Sequence, residues 1–368
     1  MNTYMTPHII AFYLPQFHAI QENDEWWGKG FTDWVNVKKA KPIFKGHQQP
    51  RIPLNENYYD LSEMEALQWQ AKIANEYGVY GFCFYHYWFN GKLLLEKLAE
   101  MLRSHQDITI NYCFSWANEP WARTWDGKAQ QVLMPQNYGT HEDWKRHFDY
   151  LLPFFKDKRY IKIDNSPMFI LYKSSSIPCA AEMMEAWNKW AIEAGFKCIH
   201  FVETLRDGSN DHRALPYKAK VEFEPMRTLF QQSSLILNYK RFRRRVINMF
   251  NIVFRQRIPL NRPFRFSEAA RRSVELQSPS GTYGGIFVGW DNTPRRGLAS
   301  TIVLPPTKEE FKKYLSAKIE QTQNVYHTNY LFINAWNEWA EGAMLEPEQH
   351  VGYAYLEAIK EITQALSV

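Results

Sequence analysis

The stretch YLFINAWNEWAEG, residues 330–342, begins as an apolar run and ends with two glutamates three positions apart. The run 330–336 is typical of a strand that is buried on both faces of a parallel sheet. Glu338 and Glu341 follow it at once, each two positions after a tryptophan. Active sites of parallel α/β folds lie at the carboxyl ends of their strands, so this stretch predicts a functional loop after a buried strand.

Seven further apolar runs alternate with amphipathic stretches along the chain. Eight strand–helix units in 368 residues predict an α/β fold, a single (β/α)8 TIM barrel forming one catalytic domain over residues 1–368. A doubly wound open sheet is the alternative, but the chain lacks the G-x-G-x-x-G turn typical of that fold. The predicted strands are 8–17, 79–89, 108–116, 168–173, 198–205, 220–225, 285–290 and 330–336. The predicted helices include 93–104, 142–155, 181–195, 308–322 and 353–366.

An insertion, residues 227–284, separates the sixth and seventh predicted strands. Within it, 235–257 places apolar residues every three or four positions with basic residues between them, which predicts a basic amphipathic helix. Residues 227–272 hold twelve Lys or Arg and one acid, a net charge of +11 in a chain whose total is +5. Three interpretations stay open: contact with an anionic membrane, binding of an acidic glycan, or packing on the barrel with solvated arginines. Nucleic acid is not expected, because no recognised nucleic-acid module accompanies this segment.

The composition is that of a globular protein with an aromatic groove. Aromatic residues reach 16%, a surplus expected where flat rings line a binding groove, as they do in both carbohydrate and nucleic-acid sites. The sequence shows neither a secretory signal nor an apolar run of about 18 to 20 residues. The four cysteines have no metal-binding spacing and indicate a reduced compartment. The cytoplasm is therefore the expected location, with peripheral contact to the inner membrane if the basic helix supplies it.

Glu338 and Glu341 are the predicted catalytic residues. A glutamate in water has a pKa of about 4.3, and a second carboxylate together with apolar rings raises the pKa of one member of the pair. Residues three apart in a helical turn lie on one side of the chain, and two carboxyls about 5 Å apart suit retaining glycoside hydrolysis. The alternative is that both are solvated loop acids, or ion-paired with Arg295 or Arg296.

Polar and aromatic side chains follow seven of the predicted strands, and a barrel would gather them at one mouth. Tryptophans offer stacking surfaces for sugars, and the polar groups offer partners for hydroxyls or anionic groups. No metal or cofactor is expected, since the histidines lack paired ligand spacing and no phosphate-binding glycine loop is present. The predicted substrate-binding residues are Tyr13, Gln16, His86, Trp88, Asn118, Glu119, Trp121, Arg123, Trp125, Asp126, Glu203, Glu222, Trp290, Asp291, Asn292, Trp336 and Asn337.

Four motifs resemble known carbohydrate-active proteins. WNEWAEG (336–342) resembles the strand-eight motif of glycoside hydrolase family 99, the endo-acting α-mannosidases and α-mannanases. AFYLPQFHAIQENDEWWGKGFTDWVNV (11–37), SWANEPWARTWDG (115–127) and GWDNTPRRG (289–297) look like the WbsX-type relatives of that family. Those relatives are bacterial proteins associated with lipopolysaccharide and capsule synthesis and are often labelled glycosyltransferases. The resemblance covers nearly the whole chain.

The resemblance implies a (β/α)8 barrel and a retaining mechanism. Glu341 would be the general acid/base. Glu338 would draw a proton from the 2-hydroxyl of the sugar, so that the substrate itself forms a 1,2-anhydro intermediate. Ala340 follows Trp339 here, where many mannosidases of the family carry a histidine, so the sugar is left open.

The implied function is cleavage or transfer of glycosyl units, on α-mannoside-like substrates, in bacterial lipopolysaccharide or capsular polysaccharide metabolism. The partner would be an oligosaccharide or a lipid-linked glycan. A glycosyltransferase of O-antigen assembly that uses a nucleotide-sugar or lipid-linked sugar is the first alternative, although no D-x-D metal motif occurs in the chain. A non-catalytic glycan-binding protein is the second.

Overall fold

The computed structural model describes residues 5–123, 131–206, 211–231 and 234–366. Eight parallel strands form its centre and pair in chain order, and the first strand closes the sheet by pairing with both the second and the eighth. The predicted (β/α)8 barrel is therefore confirmed, and the open doubly wound sheet is excluded. The strands are β1 (His8–Tyr13), β2 (Gly81–Phe89), β3 (Asn111–Trp116), β4 (Ser166–Leu171), β5 (His200–Leu205), β6 (Ala219–Glu222), β7 (Thr282–Phe287) and β8 (Tyr330–Asn334).

The register at the closure shows how the first strand joins the two ends of the sheet. Ile10 lies opposite Phe332 of β8 on one side and Gly81 of β2 on the other. The interior is filled by rings, with Phe12 of β1 in contact with Phe332 and with Phe223 just after β6. Strands covered on both faces in this way explain the continuous apolar runs of the sequence.

Twelve helices are present in the described part of the chain. Those at 97–104, 141–156, 180–193, 308–324 and 354–366 confirm the predicted helices, and six others (α1, α2, α3, α7, α9 and α10) were not predicted. The helices are α1 (Gln21–Trp27), α2 (Asp33–Lys39), α3 (Met64–Glu76), α4 (Lys97–Ser104), α5 (His141–Lys156), α6 (Ala180–Glu193), α7 (Met226–Phe230), α8 (Ser234–Val253), α9 (Phe266–Glu275), α10 (Thr293–Arg296), α11 (Lys308–Asn324) and α12 (Ala354–Leu366).

Capping explains where two of the long helices begin. Thr140 before α5 and Thr307 before α11 each form a capping box with the acidic residue three positions on. The helix predicted at 93–104 begins later, at Lys97, because Lys92–Leu94 pairs as an antiparallel strand with the end of β2.

Small antiparallel hairpins extend three strands at their carboxyl ends. Trp121–Arg123 pairs with Gln131–Met134 after β3, and Trp290–Asp291 pairs with Ile302–Val303 after β7. After β8, Asn337–Glu338 pairs with Ala343–Met344, with the 3-10 turn Trp339–Glu341 between them. These hairpins build the rim of the barrel at the end where the predicted site residues lie.

The insertion between β6 and β7 contains α7, α8 and α9. The predicted basic helix at 235–257 is present as α8, and most of its described side chains are exposed. Within the described ranges, no helix combines the length and the apolar character needed to cross a bilayer.

Candidate active site

A cavity of about 630 Å³ opens at the carboxyl ends of the barrel strands. Its walls combine aromatic rings with charged groups, which is the usual character of a site that binds a partly polar ligand. Seven of the predicted site residues line it: Gln16, Glu119, Trp121, Trp290, Asn292, Glu338 and Glu341.

Glu338 and Glu341 share one cationic partner, Arg295, which α10 supplies. Arg295 Nη1 donates to Glu341 Oε1 at 2.7 Å, and Arg295 Nη2 lies 3.7 Å from Glu338 Oε2. Glu338 Oε2 is buried and accepts no hydrogen bond from the residues that the structure describes. The ion pair that the sequence left as an alternative thus exists, and it holds both carboxyls at the cavity wall.

The electrostatic surroundings give the two carboxyls different pKa values. Burial raises the pKa of Glu338 well above its usual value, and the charge of Glu341 raises it further. Burial also raises the pKa of Glu341, but the guanidinium of Arg295 works against that rise. Two neighbouring carboxyls with unequal pKa values can share a single proton, which is held mainly by the carboxyl with the higher pKa. Of the two, Glu338 has the surroundings that favour the protonated form more strongly, because it lacks the hydrogen bond that Arg295 donates to Glu341.

Asp33 orients Arg295 from the opposite side. Arg295 Nη2 donates to Asp33 Oδ2 at 2.8 Å, and Asn36 Nδ2 donates to Asp33 Oδ1 at 2.9 Å. Asp33 lies at the start of α2 and is fully buried. Because both terminal nitrogens of the Arg295 guanidinium are hydrogen-bonded, its position relative to Glu338 and Glu341 is determined by the fold.

Asp291 anchors the turn that carries Arg295. Its Oδ2 accepts from Gln49 Nε2 at 2.6 Å and lies 2.7 Å from His47 Nε2, and its Oδ1 accepts from the backbone N–H of Thr293 at 3.0 Å. Burial alone would raise the pKa of Asp291, but these hydrogen bonds outweigh it and lower the pKa below its usual value. Gly342, at φ 59°, passes close enough that an added Cβ would lie 2.9 Å from Asp291 Cβ. A glycine is therefore required directly after Glu341.

Glu346 supports the same turn from behind. Its Oε2 accepts from Trp339 Nε1 at 2.6 Å and from the Tyr59 hydroxyl at 2.8 Å, and its Oε1 accepts from Gln70 Nε2 at 2.6 Å. Burial raises the pKa of Glu346 to about 7. These bonds attach the loop after β8 to α3 and lock Trp339, which lies between the two cavity glutamates in sequence.

Nine other predicted binding residues do not line the cavity. The Nε2 atoms of His86 and of His147 in α5 are 2.8 Å apart, and Trp88 stacks on His147 with ring centroids 4.4 Å apart. Burial lowers the pKa of His86 to about 3. Glu222 is ion-paired with Lys318 of α11, which the sequence did not suggest. The full set is Tyr13, His86, Trp88, Asn118, Glu203, Glu222, Asp291, Trp336 and Asn337.

The alternation of side chains along a strand explains three of these corrections. Tyr85, Tyr87 and Phe89 of β2 face the cavity, so His86 and Trp88, one position away, face the helices. Tyr13 of β1 likewise turns outward, and its hydroxyl donates to Gln70 Oε1 at 2.5 Å.

Four of the remaining residues contact other parts of the barrel and not the cavity. Asn118 bonds the backbone of Lys173, Asn337 bonds the backbone of Leu14, and Glu203 pairs with Lys220 at 2.8 Å. Trp336 packs against Phe82. Trp125 and Asp126 lie outside the described residues, as does the side chain of Arg123.

Three tyrosines and one arginine of the cavity were not predicted, whereas the sequence already indicated Arg295 and Arg296 as possible ion-pair partners of Glu338 and Glu341. Tyr85 and Tyr87 could have been found by testing both parities of the second strand, since a ring with a hydroxyl tip suits a sugar site. Arg244 is visible in the sequence only as a member of a basic run. The three tyrosines and the arginine that were not predicted are Tyr85, Tyr87, Tyr172 and Arg244.

Glu119 forms a second charged cluster on the cavity wall. Lys173 Nζ donates to its Oε1 at 2.8 Å, and Arg206 Nη1 donates to its Oε2 at 3.1 Å. Burial alone would raise the pKa of Glu119, but Arg206 and Lys173 outweigh it and lower the pKa. Glu119 is therefore an ionised acceptor, while Glu338 is the group able to hold a proton.

Comparison with known proteins agrees with this architecture. The family model described as glycosyltransferase WbsX matches residues 9–359. The chain belongs to the WbsX family. The protein WxcX of Xanthomonas campestris pv. campestris strain B100 is 36% identical over 365 residues, which cover 98% of this chain and 50% of that protein. WxcX of strain ATCC 33913 is likewise 36% identical over 372 residues. The chain thus spans about half the length of the curated relatives it matches.

Solved structures place this WbsX chain in the same fold as family 99 glycoside hydrolases. The GH99 endo-α-mannosidase from Bacteroides thetaiotaomicron is 15% identical with a TM-score of 0.57, covering 99% of this chain and 98% of that one. A glycoside hydrolase-like protein is 11% identical with a TM-score of 0.62, covering 98% and 95%. The family and the fold are those of carbohydrate-active enzymes, and the predicted resemblance is confirmed at that level.

Proposed function

We propose that this WbsX chain makes or breaks glycosidic bonds with retention of configuration, using Glu338 and Glu341. The observation that supports it is the arrangement of both carboxyls at the wall of the barrel cavity against one buried guanidinium. Retaining glycosyl transfer requires a pair of carboxyl groups of which one is protonated and the other is ionised.

In the proposed first half, Glu338 takes the proton of the sugar 2-hydroxyl while that oxygen bonds to C1. The C1–O bond to the leaving group breaks at the same time, and Glu341 donates its proton to the departing oxygen. The pair begins and ends this half with one proton, moved from Glu341 to Glu338. In the second half the acceptor oxygen bonds to C1 and its hydroxyl proton passes to Glu341, while the C1–O2 bond of the anhydro ring breaks and Glu338 returns its proton to O2.

Arg295 has a definite part in this scheme. Its hydrogen bond to Glu341 at 2.7 Å stabilises that residue as a carboxylate, the form it reaches after protonating the leaving group. The free site, with the higher pKa on Glu338, corresponds to the state between the two halves. We therefore propose that substrate binding shifts the proton from Glu338 to Glu341.

The proposed substrate is an α-mannoside-like glycan, free or lipid-linked, of bacterial lipopolysaccharide or capsule metabolism, met in the cytoplasm at the inner membrane. Trp121, Trp290 and Tyr87 supply rings at the cavity wall for sugar faces, and ionised Glu119 supplies an acceptor for hydroxyls. A sugar acceptor instead of water is the second candidate, and the family's description as glycosyltransferases favours it.

The test is turnover of a panel of fluorescent α-glycosides and cell-surface oligosaccharides, comparing wild type with Glu338→Gln and Glu341→Gln. Glu320→Gln on the exposed face of α11 is the matched control. Loss of cleavage in both cavity variants but not in the control, with the α-anomer formed first by NMR, supports a retaining hydrolase.

Cleavage that persists in both cavity variants would overturn the proposal. If no protein cleaves any compound, the same variants are assayed with nucleotide-sugar and lipid-linked donors and sugar acceptors. Transfer lost in both variants then identifies the transferase, whereas oligosaccharide binding without any turnover supports a glycan-binding protein.

A further inference from the structure

The insertion carries an unusual concentration of exposed apolar side chains. Fifteen large apolar residues are exposed in the described part of the chain, and nine of them lie within residues 239–258. Patches of this kind mark interaction sites on otherwise soluble proteins. We name this set the docking surface: Tyr239, Phe242, Val246, Met249, Phe250, Ile252, Val253, Phe254 and Ile258.

Basic residues are interleaved with this apolar set. Residues 234–265 contain nine Lys or Arg and no acid. Arg245, Arg255 and Arg257 are exposed, and Phe250 and Phe254 contact each other with centroids 4.4 Å apart. Apolar rings among cations, without acids, match the interfacial region of an anionic bilayer, where acyl chains meet lipid phosphates.

The docking surface is joined directly to the rim of the cavity. The chain after α8 runs back along the rim, where Leu260 N–H donates to Leu298 O at 2.8 Å and Asn261 Nδ2 donates to Ser300 O at 2.6 Å. Ala299 and Thr301 of that rim line the cavity. Arg244, within α8, lines the cavity as well. A body bound at the docking surface would therefore lie beside the cavity mouth.

We propose that the docking surface binds an anionic lipid bilayer and turns the cavity mouth toward the membrane. The apolar residues enter the acyl boundary, and the arginines neutralise lipid phosphates. Arg244 lies between the bilayer and the cavity, at the position where the phosphate of a lipid-linked glycan would enter. Only this last step rests on the proposed function, since the membrane contact follows from the surface itself.

The experiment is flotation of the whole chain with phosphatidylglycerol-containing vesicles and with neutral phosphatidylcholine vesicles. Wild type is expected to float with the anionic vesicles only. The basic variant Arg245→Gln, Arg255→Gln, Arg257→Gln should lower the partition coefficient on the order of 100-fold. The apolar variant Phe242→Ser, Phe250→Ser, Phe254→Ser should also abolish flotation.

The matched control replaces three exposed lysines at the other end of the barrel. Lys156 and Lys158 precede β4, Lys197 precedes β5, and all three are exposed. Their combined change to Gln removes the same charge from the chain, so flotation should remain at the wild-type level. Loss of flotation in this control would show that net charge alone drives the binding and would contradict the docking surface.

Two further outcomes would overturn the inference. One is absence of wild-type flotation with anionic vesicles. The other is a dimer by light scattering that the apolar variant dissociates, which would make a second copy the occupant. The turnover assay on soluble glycosides contains no vesicles, so failure of the proposed chemistry and failure of membrane docking are seen separately.

Discussion

Arg295 is the residue on which the chemistry of the site depends most. It touches Glu341 and Asp33 directly, approaches Glu338, and is almost entirely buried, so its charge acts on all three carboxyls with little screening by solvent. The acids in turn raise the pKa of Arg295 above its usual value. Glu341 can therefore be ion-paired with Arg295 and still serve as the proposed catalytic acid/base.

Replacing Arg295 by Gln should move the acidic limb of the pH–rate profile to higher pH. The guanidinium lowers the pKa of both Glu338 and Glu341, so its removal raises both, and the carboxyl that must be ionised loses its proton only at higher pH. The measurement is kcat/KM against pH.

Arg296→Gln, which removes the neighbouring exposed cation of the same cavity, is the matched variant and should shift the limb less. An unchanged limb in Arg295→Gln would show that neither glutamate sets the rate in that range.

At the scale of the element, the loop after β8 is held by buried polar bonds as well as by its strand pairing. Glu346 ties it to α3, Asp291 ties the neighbouring loop to residues 47–49, and Glu222 ties β6 to α11. Buried polar groups with every partner in place stabilise one arrangement, and those with a missing partner are costly. These networks explain how short loops hold a precise site.

Glu346 should make the stability of the protein fall as pH rises toward neutrality. Its folded pKa of about 7 lies above the unfolded value near 4.3, so the protonated form is favoured by folding. The stabilisation is fully present below the unfolded pKa and is lost through the folded pKa. The free energy of unfolding should drop by roughly 3 kcal/mol between pH 4.5 and 7.5 from this group.

Glu346→Gln tests this assignment, because an amide keeps the shape and cannot ionise. Urea unfolding of wild type and variant from pH 4.5 to 7.5 should show a smaller pH dependence in the variant. Equal slopes in the two proteins would mean that Glu346 stays ionised in the folded state.

The Glu222–Lys318 pair should be structural. Glu222 is fully buried and accepts from the Tyr326 and Ser278 hydroxyls, both at 2.8 Å, as well as from Lys318 at 2.5 Å. Lys318→Met removes one of the two cations of Glu222 and leaves Arg227, whose Nη1 is 3.2 Å from Glu222 Oε1, so it should cost about 1 to 3 kcal/mol of unfolding free energy. Adding Glu222→Gln should recover a large part of that loss.

The readout that separates this role from binding is activity per folded molecule. Glu222 does not line the cavity, so Glu222→Gln should leave KM unchanged once the folded fraction is known. A raised KM with unaltered unfolding would restore the sequence-based prediction that Glu222 binds substrate.

At the scale of the whole molecule, the barrel and its insertion are stabilised differently. The barrel core is continuous and fully buried, whereas α8 exposes most of its described apolar side chains. Buried apolar area is the main source of folding stability, so α8 contributes little of it, whereas Phe266, Ala269 and Ala270 of α9 belong to the buried core. The exposed apolar side chains of α8 fit the proposed interaction.

Phe242→Ser with Ile252→Ser should therefore leave the unfolding free energy within about 0.5 kcal/mol of wild type and increase solubility. The two side chains are 66% and 70% exposed, so little area is lost from the folded state. Phe332→Ala in the barrel core is the contrasting variant and should cost about 3 to 5 kcal/mol. Urea unfolding and precipitation by polyethylene glycol measure the two effects. A large destabilisation by Phe242→Ser with Ile252→Ser would show that these side chains of α8 pack against another part of the folded protein.

The sequence by itself determined the number and order of the strands, the long helices, the basic helix of the insertion and the motif that carries Glu338 and Glu341. These features depend on patterns within a few residues of one another, such as continuous apolar runs and helical spacing, so they can be recognised without the fold. The position of polar residues just after strand ends was also sufficient to predict Gln16, Glu119, Trp121, Trp290 and Asn292, all of which line the cavity.

Only the tertiary structure decided which side of each strand faces the cavity and which cation meets the carboxyls. Strands buried on both faces show no alternation of polar and apolar residues, so nothing local distinguishes Tyr85 and Tyr87 from His86 and Trp88. Arg295 reaches Glu341 across 46 residues of chain and Asp33 across 262. Contacts at such separations arise from closing the barrel, and the pKa values of the proposed catalytic pair, Glu338 and Glu341, follow from that closure.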